Sequence, residues 1–172
     1  MTRPFATKWA ARVALLALAA TTIGCDQMSK HFATLHLMGE PRQSFLGDSI
    51  RLEYAENQGA FLSLGAGFPP WLRTAVFSFG TAIILAACAV AAVRHRRVNL
   101  PVVGLCLILA GGVSNLADRI TKGAVVDFLN VGVGGLRTGI FNVADLAIVA
   151  GIALLLLQRR RVAPTSDPDG GT

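Results

Sequence analysis

The sequence is poor in charged residues. Only 15% of its 172 residues are Asp, Glu, Lys or Arg, whereas an ordinary soluble domain carries about 25%. The charges are also clustered, which leaves long stretches without any. Together with a mean hydropathy of +0.55, this distribution favours a membrane helix bundle over a soluble core. The length favours a single domain.

Cysteine and histidine are also scarce, and neither is spaced for metal or redox chemistry. Cys25, Cys88 and Cys106 lie inside apolar segments without a CxxC spacing, so neither a disulfide framework nor a zinc site is predicted. His31 and His36 form no HExxH arrangement. No grouping of serine, histidine and acid indicates a serine nucleophile. The sequence therefore predicts no metal site and no cofactor.

Four apolar segments are present, at residues 9–25, 74–93, 98–117 and 141–158. The second and third contain no charge and are long enough to cross a hydrocarbon core of about 30 Å as helices. The first can cross if Lys8 and Arg12 extend toward the headgroups. We therefore expect a mainly α membrane protein with four transmembrane helices. One domain would cover residues 1–161, and the proline- and glycine-containing tail at 162–172 is predicted to be disordered.

The basic residues predict the orientation of the chain. Nine of the 16 lie before or at the start of the first segment, between the second and third, or after the fourth: Arg3, Lys8, Arg12, Arg94, Arg96, Arg97, Arg159, Arg160 and Arg161. The positive-inside rule makes this face cytoplasmic, with both termini inside. The acids from Asp26 to Asp145 then belong to the periplasmic face. Because the basic residues sit at segment ends, the net charge of +6 does not indicate nucleic acid binding.

The two loops on the periplasmic side differ in pattern. Residues 50–54 alternate apolar and charged side chains, which predicts a short strand. A second strand is expected at residues 60–64, after Gly59. A small periplasmic β-structure would therefore lie between helices 1 and 2. The shorter loop, at residues 118–137, is glycine-rich near its end, and we expect it to be irregular or hairpin-like.

Asp145 is the most unusual ionisable residue. It interrupts a stretch that is otherwise uncharged from Thr138 to Gln158, and a carboxylate beside hydrocarbon is costly. One interpretation is helix capping, with Asn142 as the N-cap and Asp145 at the third helical position. The other is a functional carboxylate.

Other polar residues near the same boundary each have a structural interpretation. Asp127 follows Val125 and Val126 in an apolar run, and alone it could be an ordinary loop acid. Asp118 could form a local ion pair with Arg119. Asp26 and Lys30 are spaced as an i,i+4 pair of an exposed helix, and residues 57–59 could form a turn that needs glycine.

Two carboxylates that converge in a partly dry site suggest a catalytic alternative. Both cannot ionise easily, so the pair shares a proton. One member can then activate a water while the other protonates a carbonyl. This is aspartic peptidase chemistry.

Five motifs in chain order resemble those of the lipoprotein signal peptidases, also called signal peptidase II. They are Asp26-Gln-Met-Ser-Lys30, Asn57-Gln-Gly-Ala-Phe61, Gly111-Gly-Val-Ser-Asn-Leu-Ala-Asp-Arg119, Val125-Val-Asp-Phe128 and Phe141-Asn-Val-Ala-Asp145. The resemblance runs from about residue 10 to residue 158. It implies four transmembrane helices, a periplasmic β-structure that holds the substrate, and cleavage just before the diacylglyceryl-modified cysteine of a prolipoprotein. Ser29, where threonine is common, and Cys25, where an aliphatic residue is usual, depart from the family pattern.

The resemblance also implies roles for individual residues. Asp127 and Asp145 would form the catalytic dyad, with Asp118 as the rival of Asp127 and otherwise structural. The remaining family positions would bind substrate or support the site: Asn57, Gly59 and Arg119 near the substrate, Asn115 and Asn142 beside the dyad, and the polar pair Asp26 and Lys30. The implied partners are diacylglyceryl prolipoproteins and membrane lipids, and we expect a monomer in the bacterial inner membrane.

Two other functions remain open at this point. Thr22-Ile-Gly-Cys25 reads like a lipobox after a basic and an apolar region, so the chain could itself be a lipoprotein. Against this, three apolar segments follow Cys25. A small transporter could also use a membrane carboxylate, although such an acid is expected near mid-membrane and not at one interface.

Overall fold

The computed structural model describes residues 4–58, 69–95 and 97–162. Within these ranges the chain forms four helices and one small sheet. The helices are α1 (Pro4–Leu37), α2 (Pro70–Arg94), α3 (Leu100–Lys122) and α4 (Val143–Val162), and the strands are β1 (Gln43–Phe45), β2 (Ile50–Asn57), β3 (Val125–Val133) and β4 (Leu136–Arg137). Residues 163–172 of the tail predicted at 162–172 and the expected strand at 60–64, with Gly59, lie outside the described residues, and Val162 belongs to α4.

All four apolar segments are helical. Three described helices are long and apolar enough to cross a membrane, over Trp9–Leu37, Ala75–Arg94 and Leu100–Lys122, and Val143–Gln158 is a shorter apolar helix. The predicted end of the first helix at residue 25 is wrong, because α1 continues to Leu37. It continues because the charges of Asp26 and Lys30 are buried against α3 and do not mark a solvent-exposed end.

Helix α3 lies at the centre of the bundle and packs against α1, α2 and α4. Asn99 caps its start by accepting a hydrogen bond from the backbone N–H of Val102. Gly123 ends it with a left-handed backbone, at a φ of 78°. Glycines allow α3 and α4 to approach closely, since Gly104 faces Gly151. The C-terminal end of α3, at Gly123, leads directly into β3.

The sheet combines strands from both connecting loops. It is antiparallel in the order β1-β2-β3-β4, which confirms the strand predicted at residues 50–54. The β-structure was predicted between helices 1 and 2, and the shorter loop adds β3 and β4 to it, in agreement with the hairpin-like alternative for that loop. Val126 packs on Ala33 and Leu37 at the end of α1. The sheet is therefore fixed over one end of the bundle.

Candidate active site

Asp145 lies in the first turn of α4, where it takes part in reciprocal capping. The backbone N–H of Asp145 donates to Asn142 Oδ1 at 3.0 Å, and the backbone N–H of Asn142 donates to Asp145 Oδ2 at 3.1 Å. This arrangement resembles a capping box, so the capping interpretation is confirmed. The carboxylate has a further partner, since Asn115 Nδ2 donates to Asp145 Oδ1 at 2.9 Å. Capping therefore does not account for all of its contacts.

Asp127 lies in β3 opposite Ala55 of β2, and its exposed fraction is 3%. Asn142 Nδ2 donates to its Oδ1 at 2.6 Å, and Asn57 Nδ2 donates to its Oδ2 at 3.1 Å. The interpretation of Asp127 as an ordinary loop acid is therefore wrong.

The surroundings of Asp127 raise its pKa from 3.8 to about 6. Burial is the largest cause, and the nearby charge of Asp145 also raises the pKa, while the amide donors of Asn57 and Asn142 lower it. Asn142 thus contacts both aspartates, Asp127 through its amide nitrogen and Asp145 through its amide oxygen. The two carboxylates are brought to opposite sides of one buried asparagine.

Asp118 pairs with two lysines. Its Oδ2 lies 2.8 Å from Lys30 Nζ and its Oδ1 lies 2.7 Å from Lys122 Nζ. Gln27 Nε2 also donates to Oδ1, at 3.3 Å. Within the described residues no ion pair joins Asp118 to Arg119, so the predicted local pair is wrong. Both oxygens of the Asp118 carboxylate are therefore paired with lysines, although the sequence had left Asp118 as the alternative to Asp127.

Asp26 and Lys30 form a fully buried ion pair and not the expected pair on an exposed helix. Their exposed fractions are 0% and 1%, and the distance from Lys30 Nζ to Asp26 Oδ2 is 2.6 Å. Asp26 also accepts hydrogen bonds from Ser114 Oγ at 2.7 Å and from the backbone N–H of Ala144 at 2.8 Å. Asp26 therefore connects α1 to α3 and to the first turn of α4.

Ser114 and Gln27 are supporting residues that the sequence reasoning missed. Gln27 Nε2 donates to Ser114 Oγ at 2.9 Å, and Ser114 is 1% exposed. Both stand next to motif residues that were singled out, Gln27 beside Asp26 and Ser114 beside Asn115. That adjacency was the available signal, although a serine or glutamine next to a motif is too common to be identified alone.

Arg119 lines a cavity of about 550 Å³. It interacts electrostatically with Asp145, Asp127 and Asp118, in that order of strength. Its Nε is buried without a hydrogen-bond partner in the described part of the chain. The cavity is lined by Arg119 together with residues of α2, the end of β2 and the end of α3: Glu56, Gln58, Trp71, Ala75, Ser78, Ile120, Lys122, Gly123 and Ala124. Trp71 and Ser78 were not predicted.

A second cavity, of about 450 Å³, lies on the α1 side and includes Gln27, His31 and Tyr54 in its lining. Neither Asp127 nor Asp145 lines these two cavities. Among the described residues no group of three or more His, Cys, Asp or Glu side chains is arranged to hold a metal ion.

The chain is similar in fold to two solved structures, each described as a bacterial membrane enzyme determined by the in meso method. The one at 2.3 Å resolution has a TM-score of 0.75 and 21% sequence identity, covering 92% of this chain and 94% of that chain. The one at 1.9 Å has a TM-score of 0.76 and 22% identity, covering 87% and 94%. These likenesses support the arrangement of helices and sheet.

Sequence comparisons identify the family. The profile described as Signal peptidase (SPase) II matches residues 18–160. A lipoprotein signal peptidase of Chlorobium phaeobacteroides is 32% identical over 155 residues, covering 86% of this chain and 90% of the relative. Another, of Burkholderia ambifaria, is 37% identical over 139 residues, covering 79% and 81%. With these matches, the fold and the site define a membrane aspartic peptidase. The chain belongs to the signal peptidase II family.

Proposed function

We propose that this enzyme removes signal peptides from diacylglyceryl-modified prolipoproteins and cleaves just before the lipidated cysteine, with Asp127 and Asp145 as its catalytic dyad. The observation that carries the proposal is the shared contact of both carboxylates with Asn142. Relatives named lipoprotein signal peptidase support the substrate class.

The surroundings of the dyad suit the activation of water by a carboxylate pair. Burial and the charge of Asp145 raise the pKa of Asp127 to about 6, which brings proton transfer close to neutral pH. Two neighbouring carboxylates titrate as a pair. One carboxylate would accept a proton from the attacking water, while the other would donate a proton to the substrate carbonyl.

The cavity beside Arg119 is the proposed entry for the substrate backbone. Arg119 lines this cavity and its charge interacts with those of the two aspartates, which suits a guanidinium that contacts peptide carbonyls. Asn57 would also meet the substrate, although its amide donates to Asp127 in the structure. Asn115 and Asn142 would hold the dyad. Asp26, Lys30 and Asp118 would support it from the buried side, and Gly59 would shape the segment after Asn57.

We further propose four transmembrane helices in the bacterial inner membrane, with both termini cytoplasmic and the sheet at the periplasmic face. Arg94 ends α2 and Arg97 lies shortly before α3, at the end of these helices opposite the sheet, in agreement with the positive-inside rule. Residues 1–161 would form one domain, followed by a cytoplasmic tail. The enzyme would act as a monomer among membrane lipids.

Two matched aspartate substitutions test the dyad. Asp127→Asn and Asp145→Asn should each abolish cleavage of a diacylglyceryl prolipoprotein in liposomes, while both variants still accumulate in the membrane. Asp118→Asn should retain cleavage and lose stability, because Asp118 is held by lysines. Full activity of either dyad variant would exclude the assignment, and complete loss with Asp118→Asn at normal abundance would favour the rival.

Cys25 separates this proposal from the lipoprotein alternative. Cys25 is exposed on α1, which runs through that position without interruption. Cys25→Ala should therefore remain active. Mass spectrometry of the purified protein should give the intact chain, and a mass beginning at a lipidated Cys25 would support the alternative.

A further inference from the structure

We propose that Lys30 is a positioning residue for the dyad: it fixes the orientation of the Asn115 side-chain amide and thereby the hydrogen bond that Asp145 receives. This inference rests on the proposed catalytic role of Asp145. Lys30 lies in α1 and does not touch either dyad carboxylate directly through any hydrogen bond or ion pair among the described residues.

The ammonium of Lys30 has three close partners. Nζ lies 2.6 Å from Asp26 Oδ2, 2.8 Å from Asp118 Oδ2 and 2.7 Å from Asn115 Oδ1. A lysine ammonium has three N–H donors and no acceptor. The contact with Asn115 Oδ1 is a hydrogen bond, whereas Asp26 and Asp118 are ion-pair partners, and Asp118 Oδ2 has no hydrogen-bond partner among the described residues. Two of these oxygens neutralise the charge, and the third belongs to a neutral amide that needs no charge partner.

The chemistry of an ammonium determines which end of the Asn115 amide faces it. Because Nζ only donates, the facing atom must be the carbonyl oxygen, and Nδ2 must point the other way. There it donates to Asp145 Oδ1 at 2.9 Å. A flipped amide would place its N–H groups against the ammonium and its oxygen against the carboxylate. Both contacts would be repulsive, so Lys30 allows only one orientation.

The same reasoning extends from Asp145 to Asp127. The backbone N–H of Asp145 only donates, so the Asn142 atom that faces it at 3.0 Å must be Oδ1. Asn142 Nδ2 is then directed to Asp127 Oδ1 at 2.6 Å. Both carboxylates consequently receive amide N–H donors whose orientation is fixed by groups that can only donate, Lys30 Nζ for Asn115 and the backbone N–H of Asp145 for Asn142. Lys30 therefore fixes the donor to Asp145, and Asn142 Nδ2 also reaches Asn115 Oδ1, at 3.3 Å.

A purely structural role would give a different result. If Lys30 only neutralised Asp26 and Asp118, its removal would lower stability, and any effect on the rate would be independent of Asn115. If Lys30 acts through Asn115, the two residues form one unit and their effects on kcat are not additive. A double-mutant cycle separates these possibilities.

The cycle compares Lys30→Met, Asn115→Ala and the double variant, with kcat and KM measured on a diacylglyceryl prolipoprotein. Each single variant should lower kcat by up to about 100-fold, with little change in KM, because both side chains are buried away from substrate. The double variant should match Asn115→Ala alone. Thr22→Ala is the control, since Thr22 also lies in α1 but donates to the backbone carbonyl of Leu18 in the same helix. It should leave kcat unchanged.

If the loss in the double variant equals the product of the single losses, or if Lys30→Met keeps the wild-type kcat, the positioning role is excluded. Should Lys30→Met fail to accumulate, the pair Asp26→Asn/Lys30→Met removes one charge of each sign and replaces it in the cycle. Wild-type protein that does not cleave the prolipoprotein would instead contradict the proposed function.

Discussion

Gly111 provides a test of how tightly the position of the dyad depends on helix packing. A Cβ added at Gly111 would lie less than 3.0 Å from the carbonyl oxygen of Ala144. It would also lie 3.0 Å from Cγ1 of Ile148. Ordinary contact begins at 3.4 Å, so the oxygen must retreat by more than 0.4 Å (3.4 minus 3.0). Ala144 directly precedes Asp145. Gly111→Ala should therefore push the first turn of α4, with its carboxylate, away from α3.

The expected loss of activity follows from that displacement. A shift of about 1 Å in a catalytic group can lower a rate about 100-fold, so a shift of roughly half that size should lower kcat about tenfold or more. Overpacking a close helix contact also destabilises a protein by about 1–3 kcal/mol. Both quantities are measurable on purified enzyme, kcat by prolipoprotein cleavage and stability by thermal unfolding in detergent.

Two other glycines serve as matched controls. A Cβ at Gly80 in α2 meets nothing within 4 Å, so Gly80→Ala should leave both quantities unchanged. A Cβ at Gly104 would lie 2.8 Å from the carbonyl oxygen of Gly151, at the same helix interface but farther from the dyad. Gly104→Ala should lose stability with a smaller loss of kcat. Wild-type kcat in Gly111→Ala, or equal damage from Gly80→Ala, would refute the reasoning.

Three further predictions concern the carboxylates and their caps. The pKa of Asp127 is about 6 in the folded protein and 3.8 for an unperturbed side chain, so the fold loses stability as pH rises through that window. Asp127→Asn should therefore raise the melting temperature above about pH 6, with a gain that shrinks toward pH 3.8; an unchanged difference across pH would contradict this. Asn57→Ala removes a donor that lowers the pKa of Asp127, so the pH optimum of kcat/KM should move upward, and a downward shift would be incompatible with the assigned hydrogen bond. Asn142→Ala and Asn99→Ala each remove an N-cap, which costs about 1 kcal/mol; activity should be lost only with Asn142→Ala, and equal activity in the two variants would separate Asn142 from the dyad.

The helices were predictable because long runs without charge admit few other structures. The end of α1 was not predictable, because the charges of Asp26 and Lys30 indicate a solvent-exposed segment unless their partners are known. Those partners, Asp118 and Asn115, lie in α3 and far along the chain. The pairing that keeps α1 helical to Leu37 depends on this tertiary contact, which no local pattern reveals.

The β3–β4 hairpin was one of the two forms expected of the shorter loop, because its glycines suited an irregular loop equally well. Gly134 has a φ of 57° and forms the turn between the strands. Gly132 lies so close to the backbone of Leu136 and Arg137 that a side chain would not fit. Both glycines therefore belong to the hairpin. Glycine content alone does not distinguish a tight hairpin from an irregular loop.

The candidate site was also predictable only in part. Asp145 stood out physically, and its cap with Asn142 follows from local spacing. The contact between Asn142 and Asp127 joins α4 to β3, and only the family resemblance linked these two aspartates in advance. Sequence alone also left Asp118 open, because the lysines that occupy it come partly from another helix.

The first turn of α4 is held by polar contacts from three sides. Asp26 accepts from the backbone of Ala144, Asn142 caps the helix, and Asn115 donates to Asp145. Buried ion pairs add little net stability compared with well-packed apolar side chains, so stability alone does not explain the charges of Asp26 and Lys30. Hydrogen bonds, unlike apolar contacts, are directional. A network that ends on one helical turn therefore fixes the position and rotation of that turn, which is what the proposed catalytic role of the carboxylate at its third residue requires.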